Sequence, residues 1–84
     1  MKTLDRKIEK KYFANGQLWV EILYQNGLIH GIMKEYYDNG HIHNLIPFRH
    51  GSPDGLAKSY AHNGRLKHQV YWKVGKIVET SLVA

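Results

Sequence analysis

Six histidines and seven carboxylates are the residues with chemical potential in this 84-residue chain, and their spacing restricts what they could do. His41 and His43 stand two apart, which on a strand points both imidazoles to one face. A hairpin through Asp38-Asn39-Gly40 would bring Glu35 near His43 and complete a three-ligand N/O set. Against a metal centre, no second histidine pair occurs at ligand spacing. His41 also occupies a turn-flanking place held by Gln17 and Arg65 in two further copies of the same pattern. The histidines therefore read as surface groups that make binding pH-sensitive between about pH 5 and 8. Ser52, Ser59 and Ser81 lie in no nucleophile motif, and the carboxylates form no closely spaced recurring pair. A non-enzymatic protein without metal or cofactor is the expectation.

Lys10, Lys34 and Lys58 recur at an offset of 24 and form a candidate anion-binding row. The competing role for the row is structural, with the lysine stems lying over aromatic rings while the ammonium groups reach water. A net charge of +5 and a pI near 9.6 favour an acidic partner, whether a protein surface, anionic lipid or nucleic acid. No recognised nucleic-acid fold motif accompanies the basic residues.

The elements that must position these groups are repeated. The same offset relates Tyr12, Tyr36 and Tyr60; Asn15-Gly16, Asn39-Gly40 and Asn63-Gly64; Leu18, Ile42 and Leu66; Ile22, Ile46 and Val70; Tyr24, Phe48 and Trp72; and Gly27, Gly51 and Gly75. Copies run about 12–35, 36–59 and 60–84, with a partial copy at 7–11, so one small unit stacks on itself within a single domain. Asn-Gly between alternating residues is a strong hairpin signal. Leu18, Val20, Ile22 and Tyr24 then share one side, as do Ile42, Ile46 and Phe48, and Leu66, Val70 and Trp72. Leu4, Ile8 and Tyr12 fall at helical spacing, but the offset aligns this segment with later strands and predicts a strand from about Lys7 to Phe13. Pro53 suits a turn and Pro47 an irregular strand position. With no cysteine and a chain this short, the core must be thin. No apolar run has the length of a signal peptide or a membrane span, which leads to the expectation of a soluble, cytoplasmic protein.

The pattern Tyr-x-x-Asn-Gly-x-Leu/Ile, then an aromatic, then Gly, then Gly-Ile/Leu-x-Lys-x-Tyr, resembles the MORN-type repeat, in the variant found in small bacterial antitoxin-like proteins. The resemblance covers about residues 8–76. It implies an all-β antiparallel meander of successive hairpins in a single curved sheet, used to bind proteins or membrane lipid. The third copy departs from it, with Glu79 in place of the second glycine and Thr80 where Ile32 and Leu56 stand, so its final turn and strand should be irregular.

Columns that change between copies are free for other work. Trp19/His43/Lys67 and Glu21/Leu45/Gln69 share strand parity and predict one face, joined by Phe13, Leu23, Met33, Tyr37 and Tyr71. Trp19, Tyr37, Leu45 and Tyr71 are the candidate anchors of a binding surface there, with His43 among them and Arg65 and Lys67 facing acidic groups. The function expected is a small inhibitor that occludes a macromolecular partner, of the antitoxin, immunity or counter-defence type. Peripheral binding to anionic lipid and nucleic-acid binding are the alternatives. Lysines guard the N-terminal strand, whereas the stretch from Ile77 to Ala84 carries one charge and offers an edge to a target or a second copy.

Overall fold

The computed structural model describes residues 4–82. Nine strands form one antiparallel sheet: β1 (Arg6–Tyr12), β2 (Leu18–Gln25), β3 (Leu28–Ile29), β4 (Gly31–Tyr36), β5 (Ile42–Arg49), β6 (Ser52–Pro53), β7 (Gly55–Tyr60), β8 (Leu66–Lys73) and β9 (Lys76–Leu82). The order is β1-β2-β4-β5-β7-β8-β9, with β3 and β6 pairing back on β2 and β5. The Cα envelope measures 49 × 36 × 12 Å, a single layer. Among the described residues only Val20 and Ala57 are buried. The N-terminal segment is a strand, close to the bounds expected.

Two kinds of turn alternate along the edges. At Phe13–Gln17 the Gly16 amide donates to the Phe13 carbonyl (3.0 Å) and the Phe13 amide to the Gln17 carbonyl (2.8 Å). Gly16 carries the left-handed angle, φ 88°, while Asn15 does not. Asn15 instead accepts the Gln17 amide through Oδ1 at 2.9 Å, as Asn39 accepts that of His41 and Asn63 that of Arg65, both at 3.0 Å. The freed Nδ2 groups reach the next copy: Asn15 donates to the Asp38 carbonyl (3.1 Å) and Asn39 to the His62 carbonyl (3.0 Å). These turns both close hairpins and tie neighbouring copies together.

At the opposite edge two consecutive left-handed residues make type I′ turns: Asn26-Gly27, His50-Gly51 and Val74-Gly75. Beyond the first two, β3 and β6 break at His30 and Asp54, whose amides donate to the Leu23 and Pro47 carbonyls, each at 2.9 Å. Pro47 lies inside β5 opposite Ile32, and its donor-less nitrogen points with its carbonyl toward this break, where no ladder bond is lost. The final turn of the third copy is regular, an I′ turn at Val74-Gly75, and β9 is not interrupted because Glu79, unlike Gly31 and Gly55, sits in an ordinary strand conformation. The final strand is irregular, as expected: Tyr71 pairs with Glu79 and Trp72 with Ile77, so Val78 is skipped.

The largest departure from simple alternation is a β-bulge in each copy. Lys11 pairs with Val20 and Tyr12 with Leu18, leaving Trp19 unopposed. In the same way His43 is skipped between Glu35–Asn44 and Tyr36–Ile42, and Lys67 between Ser59–His68 and Tyr60–Leu66. A bulge shifts parity by one residue. Leu18, Ile42 and Leu66 therefore lie opposite the tyrosines, on the face away from Val20, Ile46 and Val70, which corrects the expectation that they share one side.

Val74 is β-branched and holds φ 49° in the place where the first copy has Asn26, and its side chain is 75% exposed, so it gains no packing in return. Val74→Asn should stabilise the fold by about 1 kcal/mol in urea unfolding; an unchanged midpoint would mean that the turn is not strained. Asn39 bonds into a following copy, whereas among the described residues Asn63 bonds only within its own turn, so Asn39→Ala should cost about 1 kcal/mol more than Asn63→Ala.

Candidate binding faces

Register defines two faces, and the lysine column marks the first. Lys10 pairs with Glu21, Glu21 with Lys34, Lys34 with Leu45, Leu45 with Lys58, and Lys58 with Gln69, giving an unbroken row across the strands. Two residues before each lysine stand Ile8, Ile32 and Leu56, paired with Leu23, Pro47 and Tyr71. Two residues after each stand Tyr12, Tyr36 and Tyr60, paired with Leu18, Ile42 and Leu66. The first face is thus a lysine row between an aliphatic row and a tyrosine–aliphatic ladder, and the lysine stems have apolar neighbours on both sides.

Charge along the row is uneven. Glu21 lies 3.8 Å from Lys10 and 3.9 Å from Lys34. Lys58, between Leu45 and Gln69, has no carboxylate within ion-pair distance among the described residues. The aliphatic row is unusually open for strand residues: Ile8 is 64% exposed, Ile32 45%, Leu56 43% and Tyr71 48%, while Leu23 and Pro47 are half-buried between them. Exposed large hydrophobics in line mark a binding surface more than scattered ones do.

The second face holds both buried residues. Along it run Glu9, Ile22, Met33, Ile46, Ala57 and Val70, and a polar row in which Asn44 donates to Glu35 Oε1 (2.7 Å) and Ser59 donates to Asn44 Oδ1. The bulges deliver His43 to this side. Its Nδ1 is 3.6 Å from the same Glu35 oxygen, and its ring stacks on Tyr37 at 4.2 Å. Tyr37 in turn donates to the Tyr60 carbonyl (2.7 Å) and meets His62 edge-on at 4.9 Å. Trp19 takes the equivalent place against Phe13, ring centroids 6.1 Å apart. At the outer strand Tyr24 donates to Glu9 (3.0 Å), and that bond to a carboxylate raises the phenol above its ordinary pKa.

The residues singled out in the sequence therefore divide. Trp19, Tyr37 and His43 gather on the second face, where Lys67 holds the matching bulge position and Met33 also lies. Leu45 and Tyr71 belong to the first face with Lys10, Lys34, Lys58, Glu21, Leu23 and Gln69. Arg65 sits at a turn, between the two. The single face expected from parity does not exist, because the bulge reverses the alternation between position 43 and position 45. It also parts His41 from His43: the His41 ring lies over the next turn, where a Cβ on Gly64 would come within 3.2 Å of it. Among the described residues no group of three or more potential ligand side chains converges. Ile8, Ile32 and Leu56 are not among the candidate residues that the sequence singles out; their fixed two-residue offset from the lysine column is the signal that could have placed them beside it.

A single-layer sheet of hairpins with an internal period defines a β-hairpin repeat protein. The chain belongs to the MORN repeat variant family, which matches residues 7–26, 29–50 and 53–73, most of its length. No curated protein and no solved structure matches it. MORN repeats are binding repeats, for proteins or membrane lipid, rather than catalytic ones.

The face assignment has a direct check. Leu56→Thr should leave the unfolding free energy within about 1 kcal/mol of the parent, whereas Ala57→Asp one residue away should cost several, because it buries a carboxylate between Ile46 and Val70. Equal effects in thermal denaturation would contradict the assignment.

Proposed function

We propose that the protein is a non-enzymatic binder that docks an acidic surface of a protein partner on its first face. In this reading it acts by occlusion, in the manner of a small inhibitor such as an antitoxin, an immunity protein or a counter-defence protein of a phage or mobile element. The observation that carries this reading is the open row of Ile8, Ile32, Leu56 and Tyr71 beside the lysines. The aliphatic side chains supply apolar area, worth about 25 cal/mol for each Å² removed from water. The lysines steer an acidic partner and fix its register. A stable interface needs about 800 Å² from each partner, which a sheet of 49 × 36 Å extent accommodates on one face.

The second face supports a competing protein interface through Trp19 and the Tyr37–His43 stack, and the two are separable because they lie on opposite sides. Leu56→Asp/Lys58→Glu alters the first face and Trp19→Ala/Tyr37→Ala the second. With folding checked by circular dichroism, the first variant should lose a protein captured by the parent chain from lysate of the source cell, and the second should retain it. The reverse result would move the interface to the second face. Capture of vesicles containing anionic lipid but not neutral ones would replace a protein partner by a membrane. Binding to nucleic acid that falls by orders of magnitude between about 50 and 200 mM salt would replace it by a polyanion.

A further inference from the structure

We infer that the first face reads an acidic polyproline II segment lying across the strands, with an apolar residue or proline and a carboxylate recurring every third residue. This inference rests on the docking face proposed above and names its occupant. Ile8, Ile32 and Leu56 protrude from β1, β4 and β7, and between them β2 and β5 contribute the half-buried Leu23 and Pro47. The protruding residues are therefore two strands apart, a spacing of about 9.6 Å. Lys10, Lys34 and Lys58 repeat at the same interval in a parallel row, two residues further along each strand.

Few backbone conformations share that interval. An extended strand brings side chains to one side every two residues, about 6.8 Å, and three residues bring the wrong side. An α-helix needs a full heptad, about 10.5 Å, and runs ahead by about 1.8 Å over the two intervals. Polyproline II has three residues per turn and rises about 9.3 Å per turn, which stays within about 0.6 Å over the same distance. Its prolines would sit over Leu23 and Pro47 between the protruding side chains, and a carboxylate once per turn would face the lysine row. The row favours such a charge most at Lys58, since Glu21 already lies between Lys10 and Lys34. A preformed helix also loses little entropy on docking, which suits an open sheet face.

The test is fluorescence anisotropy with labelled peptides and the full chain. The probes are five repeats of Pro-Pro-Glu, five of Pro-Pro-Lys, a peptide with the composition of the first but all glutamates at one end, and a lactam-stapled acidic helix with leucine at heptad spacing. The first should bind at least about tenfold more tightly than the other three. Leu56→Asp and Lys58→Ala, each verified as folded, should weaken it, and Glu21→Gln should strengthen it by releasing Lys10 and Lys34. Equal binding of the end-loaded peptide, preference for the helix, or indifference to Leu56→Asp would overturn the inference. If Pro-Pro-Glu repeats fail to bind while Leu56→Asp/Lys58→Glu still loses the captured protein, the three-residue period is wrong and the docking face stands. If that variant keeps its captured protein, the docking face itself falls.

Discussion

A one-layer sheet has no opposing layer, and every other feature of this protein answers that constraint. Apolar side chains on either face can be covered only by their neighbours in the same face, so among the described residues just Val20 and Ala57 count as buried, each still 8% exposed. Stability must come from lateral contacts: cross-strand pairs, each worth a fraction of a kcal/mol, multiplied along the sheet. Identical copies suit this arrangement, because a pair that works once works again at every junction. The tyrosine–aliphatic ladder from Tyr12 to Leu66 is the clearest case, with the same two kinds of side chain alternating across six strands.

The edges obey the same logic. A hairpin that merely turns the chain would leave adjacent copies joined only by their ladders. Here Asn15 and Asn39 each use the carbonyl oxygen within their own turn and the amide nitrogen on the next, so local and inter-copy order are coupled in one side chain. At the other edge the Gly51 and Gly75 amides donate to the Ile29 and Pro53 carbonyls at 2.8 and 2.9 Å, which links one I′ turn to the preceding copy. Cooperative folding of a sheet without a core depends on such links.

An uncovered sheet also has two surfaces to offer, and the bulge decides what each displays. It turns Trp19 and His43 toward the face that carries the polar Glu35–Asn44–Ser59 row and the buried residues. That face is occupied with its own contacts: stacked rings, shared carboxylate oxygens and hydrogen bonds to the next copy. The lysine face keeps its aliphatic side chains in line and exposed, and among the described residues Lys58 has no carboxylate within ion-pair distance. Binding to a partner costs less where few internal contacts must first be given up.

Much of this was legible in the residues alone. The 24-residue offset, the Asn-Gly turns and the alternating strands determined an antiparallel meander of hairpins, because turn chemistry and two-residue periodicity are local properties. The lysine column and the aliphatic column two residues before it were equally visible, although variation between copies, used as the mark of a site, passes over Ile8, Ile32 and Leu56 because they hardly vary. The grouping of Trp19 and His43 with Leu45 and Tyr71 was not legible. Parity counted along a single strand assumes an uninterrupted ladder, and the extra residue at positions 19, 43 and 67 exists only in relation to the partner strand. Hydrogen-bond register is a property of two strands together. The sequence determined which residues repeat; only the tertiary structure decided which of them face the same way.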